Sequence, residues 1–262
     1  MIRALYSAAT GMNAQETNID VISNNLANVN TTGFKKSRAD FQDLIYQYVQ
    51  EPGSPSSQTT TKPSGIQVGL GVKTAAVQKI FTQGDLTSTG NQLDIAIEGD
   101  GFFQVTRPDG TLVYSRAGAL QLNQNGQIVT PDGFPVAPGL TIPLDSLGIT
   151  FGQDGTVSVK QPNNTNPVQI GQLSAVRFAN NSGLRAVGQS FYEETLASGA
   201  PVTGIFSENG FGRVSQGFLE TSNVSVVEQV VNMITAQRAY EASSKGITTA
   251  DEMLSQAINL KR

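Results

Sequence analysis

The sequence predicts an α+β protein in which helical termini enclose an inserted all-β region of antiparallel hairpins. Three observations lead there. Apolar residues recur at helical spacing at the two ends of the chain and not in between. Four Asp-Gly or Asn-Gly dipeptides fall within about 50 residues of the middle, from 109 to 155, each flanked by short β-rich runs. No helical pattern separates those runs, so βαβ units and a parallel sheet are excluded.

The N-terminal helix is expected over residues 1 to about 30, with a stripe of Ile2, Leu5, Ala9, Met12, Ile19, Ile22, Leu26 and Val29. Glu16 interrupts the stripe where its next apolar member should fall. Asn28, Asn30, Thr31 and Thr32 weaken the helix, and Gly33 supplies a left-handed residue to cap it. Only Arg3, Glu16 and Asp20 are charged in this stretch, fewer than a helix with a solvated outer half usually carries.

Residues 66–220 read as strands and tight turns. The turn dipeptides are Asp109-Gly110, Asn125-Gly126, Asp132-Gly133 and Asp154-Gly155; between them lie runs such as Phe102–Thr106, Gln127–Thr130 and Thr156–Val159. Ahead of this region, residues 50–65 are rich in Pro, Ser and Thr. That composition fits a linker or mobile loop, and equally a long hairpin ordered only against a neighbouring molecule.

The C-terminal helix is expected to start after an N-cap at Ser222 or Asn223 and to carry a stripe of Val226, Val230, Met233, Ala236, Tyr240, Ser243, Ile247, Ala250, Leu254 and Ala257. Its steps average about 3.4 residues, near a coiled-coil seam. Small residues in that seam allow another helix to approach closely. The stripes fit an αα-hairpin packed on a sheet, and also a coiled coil of the two ends packed against other copies.

Composition excludes much chemistry. The 262 residues carry 17 Lys+Arg against 21 Asp+Glu, a net charge of −4, with no His, Cys or Trp. There is no disulfide, thiol nucleophile, imidazole base or ordinary zinc centre to build. A mildly acidic chain with scattered lysines lacks the basic patch of a nucleic-acid binder. No run approaches the 18 apolar residues of a membrane span, and residues 1–15 lack the apolar core of a secretory signal. Asp94, Glu98 and Asp100 would share one face of a strand, a conceivable carboxylate pair, although strand-end and turn carboxylates are commoner. Gly69-Leu70-Gly71 and Gly99-Asp100-Gly101 open no helical pattern and read as backbone bends, not phosphate loops. Lys35-Lys36-Ser37-Arg38 reads as a solvated turn. No catalytic residue, cofactor or metal site, nucleic acid or small-molecule substrate is expected.

The terminal motifs resemble a known family. Ser23-Asn24-Asn25-Leu26-Ala27-Asn28-Val29-Asn30-Thr31-Thr32-Gly33-Phe34-Lys35 is similar to the N-terminal signature of the bacterial flagellar rod and hook proteins. Leu219–Val224, Gln237–Ala242 and Thr248–Leu254 resemble that family's C-terminal signature, with Ser222 and Asn223 inside it. Gly99–Phe103 resembles its mid-chain Gly-x-Gly-Phe-Phe motif. Chain length, and Phe41–Gln47 followed by the stretch to Gly65, look more like the distal-rod members than like proximal-rod or hook subunits, which stand as alternatives. A β-rich secreted adhesin or glycan-binding module is the alternative from another class.

The resemblance implies a discontinuous coiled-coil inner domain of residues 1–33 and 222–262, a connecting region of 34–88 and 205–221 that holds the 50–65 hairpin, and a β-rich outer domain of 89–204. It implies a non-enzymatic subunit of a rigid helical tube that encloses an export channel and carries torque from motor to hook. The expected partners are further copies of the chain, proximal rod proteins, the hook or hook–rod junction, the P- and L-ring bushing and the flagellar type III export apparatus. The expected location is the basal-body rod across the periplasm, reached without a cleaved signal peptide. The self-assembly seam is expected at Leu5, Ile19, Ile22, Leu26, Val230, Met233, Tyr240, Ile247 and Leu254.

Overall fold

A computed structural model describes residues 2–53, 62–162 and 166–259. Residues 54–61 of the Pro/Ser/Thr-rich segment lie outside the described residues, as do 260–262 of the expected C-terminal helix. The chain folds as two compact units. One comprises Met1–Ala27, Ser37–Gln78 and Ser225–Arg262; the other comprises Asn28–Lys36 and Lys79–Val224.

In the first unit, α1 (Ile2–Ala27) and α2 (Val226–Asn259) pair along their lengths. The pairing is antiparallel: Asn25 meets Gln229 at one end, and Ala8 lies beside Gly246 towards the other. The expected α+β class with paired terminal helices therefore holds. Each helix end differs from its expected cap. The first turn of α2 is capped by Ser225, whose carbonyl accepts the Gln229 N–H at 3.0 Å, and not by Ser222 or Asn223. Ser225-Val226-Val227-Glu228 has the spacing of a capping box, and Ser225 Oγ accepts the Glu228 N–H at 3.5 Å. Helix α1 stops at Ala27, so Gly33 is too distant to be its cap.

The unit also holds two ribbons, Ser37–Asp43 with Val72–Lys79 and Tyr46–Gln50 with Ile66–Gly69. Their apolar residues are poorly covered: Tyr46, Tyr48, Val49 and Ile66 are all exposed. Isolated two-stranded ribbons are marginal in water. The first unit thus has a narrow buried seam and little other core.

The second unit holds the core. Six antiparallel strands lie in the order Arg185–Gly188, Phe191–Glu193, Leu112–Ser115, Phe102–Thr106, Ala175–Arg177, Val202–Gly204. A three-stranded sheet, Gly148–Phe151, Thr156–Lys160 and Val168–Gln172, and three short ribbons complete it. The central strand Phe102–Thr106 buries its apolar residues on both faces. Phe103 and Val105 enter the larger core with Ile97, Val157 and Phe206. Phe102, on the other face, clusters with Tyr114, Phe178 and Tyr192; its edge-on ring contacts to Phe178 and Tyr192 are at 5.9 and 6.0 Å, and Tyr114 meets Phe178 at 4.8 Å.

All four Gly dipeptides sit in hairpin turns, and all four turns have one build. Gly110 donates to Arg107 O and Arg107 N–H to Thr111 O; the same pair of bonds recurs at 123–127, 130–134 and 152–156. Only the glycine has positive φ, at +82°, +75°, +85° and +80°. A two-residue type I′ turn needs two positive φ values; these are three-residue loops closed by a left-handed glycine.

Candidate functional site: the helix pair and the motif junction

In the first unit the helix seam is built from small residues and one polar lock. Ala14, Ala236 and Ala250 are buried. A Cβ placed on Gly11 would sit 3.3 Å from Ser243 Oγ, so the two backbones approach closely there. At one end of the seam, Asn25 is only 2% exposed and Gln229 4%. The Asn25 amide pairs twice with Ser37, accepting its N–H and donating to its carbonyl, both at 2.8 Å. It also donates to Gln229 Oε1 at 3.3 Å. A satisfied polar cluster in an otherwise small and apolar seam admits one register of the two helices.

Among the expected seam residues, Ile22 is buried, while Leu5, Ile19, Leu26, Met233, Ile247 and Leu254 are half-buried. Val230 and Tyr240 are each 40% exposed. Gln229, one position before Val230, is the residue that enters the seam. Tyr240 instead lines an open cavity of about 190 Å³ with Glu16, Ile19 and Asp20. Further round α2, Val227, Val231 and Ile234 are exposed.

The second unit gathers most of the remaining motif residues around a buried charge cluster. Gly33 donates its N–H to Glu220 O at 2.9 Å. Its φ is +69°, and a Cβ there would lie 2.6 Å from Ala117 N, so only glycine fits this turn. Phe34 follows, with the Lys79 ammonium 4.8 Å from its ring centroid. Lys35, expected in a solvated turn, is fully buried: its ammonium contacts Glu220 Oε1 and donates to Thr82 O at 2.8 Å. Arg116 reaches the other Glu220 oxygen at 3.4 Å and donates to Gly99 O at 2.7 Å. Glu220 also accepts the Gly84 N–H at 3.0 Å. Burial pushes the Lys35 ammonium and the Arg116 guanidinium below their usual values, with Glu220 opposing the shift in each.

Asn223 completes this junction. Its Oδ1 accepts the Lys36 N–H at 2.7 Å, and its Nδ2 donates to Ile80 O at 2.9 Å and Thr82 O at 3.1 Å. Ser222 is buried beside it, its hydroxyl without a partner among the described residues. Asn24 is exposed on α1 and Ala27 ends that helix; Asn28 accepts the Thr31 N–H at 3.1 Å. Gly33 to Lys36 of the N-terminal motif and Glu220 to Asn223 of the C-terminal motif therefore meet at one junction. Sequence reasoning missed Lys35, Glu220 and Arg116, because nothing local marks a lysine whose counter-ion is 185 residues away.

Two of the three carboxylates considered for catalysis, Asp94 and Glu98, have structural partners. Asp94 precedes its strand and accepts from Thr89 Oγ1 at 2.6 Å and Asn91 Nδ2 at 3.1 Å. Glu98 accepts from Arg213 Nε and Nη2 at 2.8 and 2.9 Å. Glu98 and Asp100 line one open cavity, of about 450 Å³, in which Glu98 is already neutralised by Arg213. Among the described residues no cluster of acidic side chains could hold a metal ion, and no helix is long and apolar enough to cross a membrane.

Comparison with known proteins agrees with this arrangement of motifs. Residues 5–35 match the flagella basal body rod protein family. Residues 96–159 match the flagellar hook protein FlgE/F/G D1 domain, and 215–260 the flagellar basal body rod FlgEFG protein C-terminal family. The chain is 50% identical over 260 residues to the flagellar basal-body rod protein FlgG of Buchnera aphidicola from Acyrthosiphon pisum, covering 99% of this chain and 100% of the relative. It is 49% identical over 264 residues to FlgG of Borreliella burgdorferi and 41% over 267 residues to FlgG of Bacillus subtilis, each covering 100% of both chains. With the terminal motifs and the mid-chain domain matched in order, and identity sustained from end to end, this chain belongs to the family of flagellar basal-body rod proteins FlgG.

Proposed function

We propose that this chain is a structural, non-enzymatic subunit of the flagellar distal rod, polymerising helically into a rigid tube that encloses the export channel and transmits torque from motor to hook. The observation that carries the reading is full-length identity to rod proteins FlgG. The distribution of burial supports it. The second unit has an extensive core, whereas the first leaves Val227, Val231 and Ile234 of α2 and Tyr48 and Val49 of a ribbon exposed. Helices that bury so little within one chain gain most of their order on association.

In this reading the discontinuous helical domain, 1–33 with 222–262, lines the tube, and the expected seam residues, Val230 and Tyr240 among them, serve contacts between copies. The β-rich region 89–204 faces outward. The connecting region, 34–88 with 205–221, joins the two and carries segment 50–65 as a bridge between neighbouring subunits. Heterologous contacts that do not close permit growth at an open end. The partners are further copies of the chain, the proximal rod proteins below, the hook or junction proteins above, the surrounding P- and L-ring bushing and the type III export apparatus that delivers the subunit. The site of action is the rod across the periplasm.

Electron microscopy of basal bodies from a strain lacking the gene tests the reading. Truncated rods without hooks are expected, restored by the full chain and not by a chain lacking Ile2–Ala27. Complete rods and hooks in the deletion strain would refute it.

A further inference from the structure

Glu16 is the residue that breaks the apolar stripe of α1. It is exposed, as is Asp20 one turn later, and no cation pairs with either among the described residues. The two carboxylates flank Ile19 and, with Tyr240, line the open cavity of about 190 Å³ between the helices. On the remote side of α2, Val227, Val231, Ile234 and Arg238 fall at i, i+4, i+7 and i+11, one continuous helix face. All four are exposed, and Arg238 has no carboxylate partner among the described residues.

The groove and this face match each other in chemistry. One offers two acids around an isoleucine and a tyrosine ring; the other offers an isoleucine one turn from a guanidinium. They cannot meet within one chain. Arg238 and Tyr240 are two residues apart on a helix of 3.6 residues per turn, so they point to nearly opposite sides of α2.

We propose that the Val227–Arg238 face of α2 docks into the groove between α1 and α2 of a second copy, with Ile234 against Ile19 and Tyr240 and Arg238 between Glu16 and Asp20. This rests on the assembly reading above and adds the residues that set the register between copies. Because donor face and acceptor groove lie on opposite sides of α2, each docked copy presents a fresh groove, and the contact propagates without closing. The ion pair supplies specificity and the apolar pair contact area.

The test uses a strain lacking the native gene, complemented with variants whose far-UV circular dichroism matches the parent. Arg238→Glu sets three carboxylates together and is expected to reduce swimming about tenfold or more. Combining it with Glu16→Lys and Asp20→Lys restores swimming. The chain has no native cysteine, so Asp20→Cys with Arg238→Cys reports the contact without background: oxidised rods should yield a ladder of covalent multimers. Unimpaired swimming of Arg238→Glu, failure of the charge swap to rescue, or rods that form without a ladder would each overturn the docking. A chain lacking Ile2–Ala27 separates the two claims. If it still builds rods, the assembly reading fails; if it builds none and the ladder is absent from full-length rods, the docking alone fails.

Discussion

Replacing Glu220 by Gln removes one negative charge and almost no volume from the buried cluster. Lys35 and Arg116 are then two cations, 0% and 3% exposed at their side chains, without a counter-ion. Breaking a buried pair by removing one partner costs about 3–5 kcal/mol. The lysine sets a ceiling of its own, because it can shed its proton. Deprotonating a group with a usual value of 10.5 at pH 7 costs about 5 kcal/mol. A loss of about 3–5 kcal/mol in the second unit, some 155 residues, corresponds to a fall in melting temperature of about 6–20 °C. Calorimetry and far-UV circular dichroism of the full chain measure it. Glu98→Gln, which breaks the exposed pair with Arg213, is the control and should leave the midpoint unchanged. Exchanging the whole cluster (Lys35→Met, Arg116→Met, Glu220→Leu) should recover much of the loss, since apolar groups of similar size replace buried ions at little cost. If Glu220→Gln melts within about 2 °C of the parent, the cluster is solvated in solution and the reasoning fails.

Three further outcomes follow from the same structure. Asn25→Ala removes both hydrogen bonds of Asn25 to Ser37 and the one to Gln229, and should destabilise the first unit by about 1–3 kcal/mol; hydrogen exchange would be expected to rise at Ser37 and along the first turns of α2. Gly11→Leu should separate the helices, because even a Cβ would lie 3.3 Å from Ser243 Oγ; loss of rods with an unchanged β-sheet signal is the expected result, and normal rods would contradict it. Burial raises the Tyr192 hydroxyl far above its usual value of 10.0, so above pH 10 the native chain holds a proton that the unfolded chain has lost. Stability should therefore fall as pH rises through that range, and Tyr192→Phe should flatten the fall in melting temperatures measured from pH 9 to 11.

The architecture was legible where the determinants are local. Helical spacing marked both helices, and Asp or Asn before Gly marked the four turns between residues 107 and 156, because a left-handed residue is demanded there by the few atoms around it. The loop length was not, since a three-residue loop and a type I′ turn share that dipeptide. The α2 cap was written in the sequence as Ser225-x-x-Glu228, yet Ser222 and Asn223 competed with it; the fold uses Asn223 to hold Lys36 and Ile80 instead. The interior of the second unit was hidden for a different reason. Whether Lys35 or Lys36 turns inward depends on a strand end that arrives late in the chain. Likewise Gln229 and Asn25 enter the helix seam because they satisfy each other and Ser37, which hydropathy periodicity cannot register.

The bond between Lys35 and Glu220 has a consequence for how a chain is made. Closing a loop of 185 residues costs about 5 kcal/mol in chain entropy, so this contact forms last, after the hairpins with their three-residue loops. A ribosome that stops before residue 220 releases a product whose hairpins can pair but whose 28–36 stretch has nothing to close on. Such a product should be cut by proteases within that stretch, while the finished chain resists. Passage of translation beyond residue 220 is thereby checked by the fold itself, at the ion pair that Glu220 makes with Lys35.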